Sequence, residues 1–400
     1  MNNKILASAF FLALLLTSLL SFAVHAATPA DFWKTQRTGT NCFNKVPEES
    51  WFKDAADLGV SWVRLAIDKW EGERDDFLMG DADDYRGLVE ADAQELGQVL
   101  DWAHKYGLKV VLTPLSLPGA RWSQNNGGRF DSRLWENRKY WNQTKAYWRD
   151  IAERFGGHPA LVAYNIKNEP APEKGRGVAE HELLGDVSRY QTWYEKHRGT
   201  AADLYQFYTE VIAAIRTVDK DMPIMVDGGW YAQPGAFTYW PGALSDPNVL
   251  YSFHMYEPYK FTSNANAKRK YPFVYPGVIP FAGKEVDWNR DTLELYMSPL
   301  FQWAAKHNIP SYRIVAGEFG CMRRNSGCRQ YLEDVLAILD DNQLHWAFYS
   351  FREDEWDGYD YEVGTKPLGW KYWEAVERGE HPGVPRKPNP LFAVIRSHLK

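Results

Sequence analysis

Cysteine is scarce, with three residues in a chain of 400. That excludes a small disulfide-dense scaffold and a cysteine-built metal cluster. Histidine does not fill the gap, because His104, His158, His181 and His307 stand singly in helical or turn contexts. The reading is therefore of a protein with no metal site and no cofactor. Positive charge is also in deficit: 46 Lys and Arg face 52 Asp and Glu, for a net charge of −6. With no basic stripe, nucleic acid is not an expected partner. No linker rich in Ser, Pro or Gly, no internal repeat and no low-complexity tract divides the chain, which argues against an appended binding module. The glycine spacing that cradles phosphate is missing after Gly39-Thr40-Asn41, so a nucleotide fold is disfavoured.

Long apolar runs are missing too, except one at the start. Lys4 precedes an almost unbroken apolar stretch over residues 5–24, which ends in Val24-His25-Ala26, a small-residue cleavage pattern. Residues 1–26 are read as an export signal, the alternative being an uncleaved anchor. Residues 27–400 then form one domain of a secreted or periplasmic protein, expected to be monomeric and membrane-free after cleavage. Losing the signal removes one Lys and no acid, so 45 basic and 52 acidic side chains leave −7. An oxidising destination permits a bridge between Cys321 and Cys328, with Cys42 free and buried.

What the chain has in quantity is aromatic: 18 Trp and 23 Tyr, many beside polar residues and Gly. Flat amphipathic rings suit sugar faces, although most such rings in a large protein pack in its core.

Eight short runs of β-branched and aromatic character occur at residues 37–43, 61–67, 109–115, 161–166, 224–227, 249–255, 313–318 and 345–351. Helical patterns lie between them at 49–58, 91–106, 141–155, 202–218, 293–307 and 328–340, with 389–398 closing the chain. Several end in Gly, the left-handed cap residue. The weakest unit is 230–246, rich in Gly, Pro and aromatics. Eight alternating units imply a parallel sheet closed into a (β/α)₈ TIM barrel, with an open doubly wound sheet as runner-up. Three long connections, 72–89, 171–201 and 257–291, leave the C-terminal ends of strands, where barrel enzymes wall their clefts.

Polar residues interrupt these apolar strands at specific places. Arg64 lies within Trp62-Val63-Arg64-Leu65, Asn168-Glu169-Pro170 follows the fourth strand, His254 and Tyr256 end the sixth, and Glu318 ends the seventh. In a barrel these positions converge on one mouth. Two carboxyls there, one protonated and one ionised, form the pair that glycoside hydrolysis needs.

The strings Gly59-Val60-Ser61-Trp62-Val63-Arg64-Leu65, Tyr164-Asn165-Ile166-Lys167-Asn168-Glu169-Pro170, Tyr251-Ser252-Phe253-His254-Met255-Tyr256-Glu257-Pro258 and Val315-Ala316-Gly317-Glu318-Phe319-Gly320 resemble glycoside hydrolase family 5. That is a family of cellulases, mannanases and related retaining β-glycosidases. The resemblance runs from about Gly39 to Phe351. It implies that Glu169 is the acid/base, Glu318 the nucleophile and Asn168 the partner of the sugar 2-hydroxyl. Arg64, His254 and Tyr256 look like the group that orients and polarises the nucleophile. Tyr349 stands where the family's sugar-platform Trp normally does, with Trp346 as a second candidate. The family often has a His three residues before Pro118-Gly119, and this chain has Leu115 there. Trp122, Trp230, Trp240 and Trp356 lie just past strand ends or in long loops and are candidate cleft aromatics.

The function implied is hydrolysis of a β-linked oligo- or polysaccharide through a covalent glycosyl-enzyme, endo-β-1,4-glucanase-like. The alternatives are a transglycosylating remodelling enzyme and a carbohydrate-binding barrel of weak activity.

Overall fold

A computed structural model describes residues 28–399 apart from 181–183, 185–186, 381 and 385. The expected export signal and His181 lie outside the described residues. Ten strands follow in order: β1 (Thr38–Cys42), β2 (Trp62–Leu65), β3 (Lys109–Leu112), β4 (Leu161–Asn165), β5 (Ile224–Asp227), β6 (Val249–Met255), β7 (Gly277–Phe281), β8 (Lys284–Trp288), β9 (Ile314–Phe319) and β10 (His345–Phe348). Eight close into a parallel barrel in the order β1-β10-β9-β6-β5-β4-β3-β2, as eight alternating units require. β7 and β8 form a separate antiparallel hairpin within the 257–291 connection.

Side chains alternate faces along a strand, so every second residue enters the barrel. Trp62, Val111, Ala163, Met225, Leu250, Val315 and Ala347 form an apolar floor inside it. Two residues further along their strands stand Arg64, Asn165, Asp227 and Ser252, all buried. Strand period alone therefore stacks a polar layer on an apolar one. Below, Trp33 seals the opposite end by donating its indole N–H to the Val162 carbonyl at 2.9 Å.

Expected helices form at Glu49–Leu58, Glu90–Lys105, Arg138–Phe155, Leu204–Ile215, Arg290–Lys306, Cys328–Asp341 and Pro390–His398. Their apolar stripes pack on the outward strand residues. The weak 230–246 unit folds as a short turn, Gly229–Ala232, and a 3₁₀ segment, Pro234–Tyr239. That segment takes the place of a helix by stacking Phe237 on Trp303 at 5.4 Å. Helices at Ser188–His197 and Trp370–Glu377 lie outside the expected helical segments. Cys321 and Cys328 are bridged, with Cα atoms 5.7 Å apart, and Cys42 is free and buried. Among the described residues no helix is long and apolar enough to cross a membrane.

Candidate active site

Arg64 organises the mouth from inside β2. Its Nη1 donates to Glu318 Oε1 at 2.5 Å, and its Nη2 to Asn165 at 2.7 Å, Asn168 at 2.8 Å and Asp227 at 3.1 Å. A planar fork of five N–H donors can serve more acceptors, in a fixed geometry, than the three N–H groups of a Lys. Asn41 adds its Oδ1 at 3.3 Å from Nη1.

Glu318 arrives at this fork through a register shift. β6 and β9 slip between Phe253 and His254, so that His254 pairs with Glu318. Gly317 makes the bulge possible, since an added Cβ would lie 2.5 Å from Ser252 Oγ. The other Glu318 oxygen accepts the Tyr256 hydroxyl at 2.8 Å. Burial raises the Glu318 carboxyl, while His254, Arg64 and the Tyr256 hydroxyl act to lower it.

Glu169 lies just past β4 with a left-handed backbone, φ 48°. Such a conformation in a side-chain-bearing residue costs of order 1–3 kcal/mol and is held by surrounding structure; here its N–H donates to Asp227 Oδ2 at 3.1 Å. Burial lifts its carboxyl to about 7, only partly countered by Arg64 and Lys167, with Asp227 pushing it further up. One oxygen from each of Glu169 and Glu318, together with a His254 nitrogen, lie within 4.8 Å of one another.

His254 differs from expectation. Its Nδ1 is 2.8 Å from Glu169 Oε1 and 3.8 Å from Glu318 Oε2, so its short contact is with the first carboxyl. Burial lowers its pKa, favouring a neutral ring. His254 with the two Glu is, among the described residues, a trio at ligand spacing that the separate histidines in sequence did not suggest. A cation there would share Glu318 with the Arg64 guanidinium, which opposes its binding.

Two adjoining cavities meet at Glu169 and share Trp122, Tyr349 and Trp356. One cavity touches both Glu169 and Glu318 and is walled by Trp122, Tyr349, Trp356 and Leu115. A second touches Glu169 without Glu318 and is walled by Trp230, Tyr231 and Tyr256. Leu115 packs with Phe43 and Ala66 against Trp122 and Tyr349, giving an apolar wall where a His was the family norm. Its backbone is fixed, the N–H on Asp68 at 2.7 Å and the carbonyl on Lys167 Nζ at 2.5 Å.

Seven expected residues therefore meet: Arg64, Asn168, Glu169, His254, Tyr256, Glu318 and Tyr349. Trp122, Trp230 and Trp356 line the cleft. Two aromatics do not. Trp346 is fully buried and packs on Phe319, because its strand position points outward to the helices while Ala347 points in. Trp240 is buried among Tyr208, Phe237 and Trp303. Sequence reading missed Asp227, Asn165, Asn41 and the pair Lys69 and Glu353, whose Oε1 also accepts the Tyr349 hydroxyl at 3.1 Å. Asp227 carried the same signal as Glu318, an acid ending an apolar strand.

The sequence matches the family described as cellulase (glycosyl hydrolase family 5) over residues 26–355. The chain belongs to glycosyl hydrolase family 5. It is thus an endoglucanase-like O-glycoside hydrolase acting on β-glucans. It is 22% identical to endoglucanase C of Acetivibrio thermocellus over 328 residues, 76% of this chain and 83% of that one. It is 24% identical to cellodextrinase A of Ruminococcus flavefaciens over 277 residues, 68% of each. Thermotoga maritima Cel5A, solved with cellobiose, has the same fold at a TM-score of 0.60 and 17% identity, covering 92% of this chain and 99% of that one.

Proposed function

We propose that this family 5 enzyme is a retaining endo-β-1,4-glucanase in which Glu318 is the nucleophile and Glu169 the acid/base. The observation that carries the division of roles is the unequal surroundings of the two carboxyls. Glu318 accepts a guanidinium and a phenol, which favour its anion. Glu169, lifted to about 7 by burial, holds a proton near neutrality. One oxygen of each carboxyl lying within 4.8 Å of the other supports the short spacing of retaining enzymes over the wider one that inversion uses.

In the first step a Glu318 oxygen bonds to the anomeric carbon, the glycosidic C–O bond breaks, and the Glu169 proton goes to the leaving oxygen. In the second, Glu169 takes a proton from water, the water oxygen bonds to the anomeric carbon, and Glu318 leaves as a carboxylate. Arg64 and Tyr256 hold the nucleophile and receive it back. Asn168 offers its amide to the 2-hydroxyl while Arg64 fixes its Oδ1. The two cavities that adjoin at Glu169 give room for a glucan longer than the two sugars at the cut, which supports endo action. The named relatives, an endoglucanase among them, support the same substrate class.

A ¹H NMR time course of cellooligosaccharide hydrolysis tests this: the β-anomer is expected first, and an α-anomer first would refute retention. Glu169→Ala with an activated aryl cellobioside and azide is expected to yield a β-glycosyl azide, Glu318→Ala an α-product. A β-azide from Glu318→Ala would reverse the assignment.

A further inference from the structure

The chain leaves β5 through Trp230, Tyr231 and Ala232, with φ of 45°, 59° and 63°. Three successive side-chain-bearing residues thus occupy the left-handed region that favours glycine. Such a turn persists only where its surroundings over-determine it.

Glu173, on the loop that follows Glu169, supplies that constraint. Its buried carboxyl accepts the Trp230 amide N–H at 3.0 Å and the Tyr239 hydroxyl at 2.5 Å. Room for it exists because residue 229 is Gly; an added Cβ would lie 2.0 Å from Glu173 Oε1. The same loop holds the turn twice more. Tyr231 N–H donates to the Pro170 carbonyl at 3.1 Å, and the Tyr231 hydroxyl accepts Lys174 Nζ at 2.6 Å. The turn and the acid's own loop are therefore one clamped unit. Trp230 and Tyr231 line the cavity that touches Glu169 but not Glu318, and the acid role proposed for Glu169 assigns that cavity to the leaving group.

We propose that Glu173 is a positioning residue for the leaving-group side of the cleft. It locks the left-handed turn at residues 230–232, so that Trp230 and Tyr231 form a preorganised aromatic floor for the glucosyl units beyond the scissile bond. The inference rests on the retaining-glucanase reading above. A floor fixed before binding loses no freedom on binding, so sugar stacking can be used to align the leaving oxygen with the acid. Because Pro170 and Glu173 belong to one loop, the floor keeps its register with the Glu169 carboxyl.

The test compares kcat/KM for cellopentaose, which places sugars on that floor, with kcat/KM for 2,4-dinitrophenyl β-cellobioside, whose departure needs no sugar there. In Glu173→Gln the ratio of the first to the second is expected to fall tenfold or more. Trp230→Ala should fall similarly, and the double variant no further, because Glu173 acts through Trp230. Tyr239→Phe, which deletes one of the two bonds to Glu173, is expected to lower the ratio threefold or more and keeps the test open if Glu173→Gln does not fold. An unchanged ratio in folded variants, or losses that multiply in the double variant, overturn the proposal. A wild-type enzyme that cleaves neither substrate removes the glucanase reading itself.

Discussion

The Glu169 carboxyl is lifted by burial from 4.5 to about 7, which corresponds to about 3 kcal/mol in favour of its neutral form. Forming the glycosyl-enzyme consumes that neutral form, so kcat/KM is expected to fall about tenfold per pH unit above roughly pH 7, or ~100-fold by about pH 9. The acidic limb has the opposite sign. Glu318 must be ionised to attack, and burial raises its pKa above the ordinary carboxylate value despite His254 and Arg64, so activity falls as pH drops through that raised pKa. The two groups lie close enough to titrate as a pair, and the limbs report the pair's two macroscopic constants. The assay is initial rates on a cellooligosaccharide across pH at constant ionic strength, repeated for Glu169→Ala on dinitrophenyl cellobioside. The variant should lose the basic limb and keep the acidic one. A basic limb near pH 7 that survives Glu169→Ala would refute the reasoning. His254 is not a substitute source, because burial moves it below its ordinary 6.5.

Leu115 lies in the apolar wall of the cavity shared by both carboxyls, so Leu115→His should change the ratio of glucan to mannan hydrolysis severalfold; equal ratios would mean that the position does not reach the sugar. Exhaustive chelation should leave activity intact, since two carboxyls complete the reaction without a Lewis acid, and a loss reversed only by added metal would remove the assigned roles. N-terminal sequencing of protein from the periplasm or medium should begin near Ala27, given Lys4 and the apolar run over residues 5–24. A chain still starting at Met1 in the membrane fraction would contradict export.

The eight strands and most helices were legible because each carries a local signal, period two or period 3.6, that the tertiary structure reinforces. The site was legible where a polar residue broke an apolar strand: Arg64, His254 and Glu318 each did so. Asp227 did so too, at the end of a strand of only four residues, and was passed over. Other failures have a geometric origin. Trp346 and Ala347 are neighbours in sequence on opposite faces of β10, and strand register decides which one enters the barrel. The 230–232 turn left no readable trace, since Trp, Tyr and Ala are not residues from which a left-handed backbone is expected. Its cause, Glu173, lies more than fifty residues away. The hairpin of β7 and β8 pairs Gly277–Phe281 with Lys284–Trp288 across Ala282 and Gly283, a pattern hidden inside a connection read as one long loop.

Asp227 bears on both catalytic groups at once. Its carboxyl takes an Arg64 N–H at 3.1 Å, the Asn165 amide at 3.1 Å and the Glu169 N–H at 3.1 Å, and lies 3.5 Å from His254 Nε2. It therefore draws on the guanidinium that Glu318 also uses, and its charge is one of the causes that raise Glu169. Asp227→Asn keeps the shape and removes the charge. Arg64 is then left to Glu318, whose pKa falls, and Glu169 loses a repelling neighbour, so its pKa falls too. A charge removed near the carboxyl pair is worth about 1–2 kcal/mol at an effective dielectric constant of about 20, so both limbs of the pH profile should move to lower pH by about one unit. The new amide N–H₂ meets donors where an acceptor stood, and Tm should fall as well, since a buried unmatched donor costs about 1–3 kcal/mol. Loss of stability alone would scale the profile down without moving it. Limbs that stay in place in a folded Asp227→Asn enzyme would mean that Arg64 and burial, without Asp227, set the two carboxyls apart.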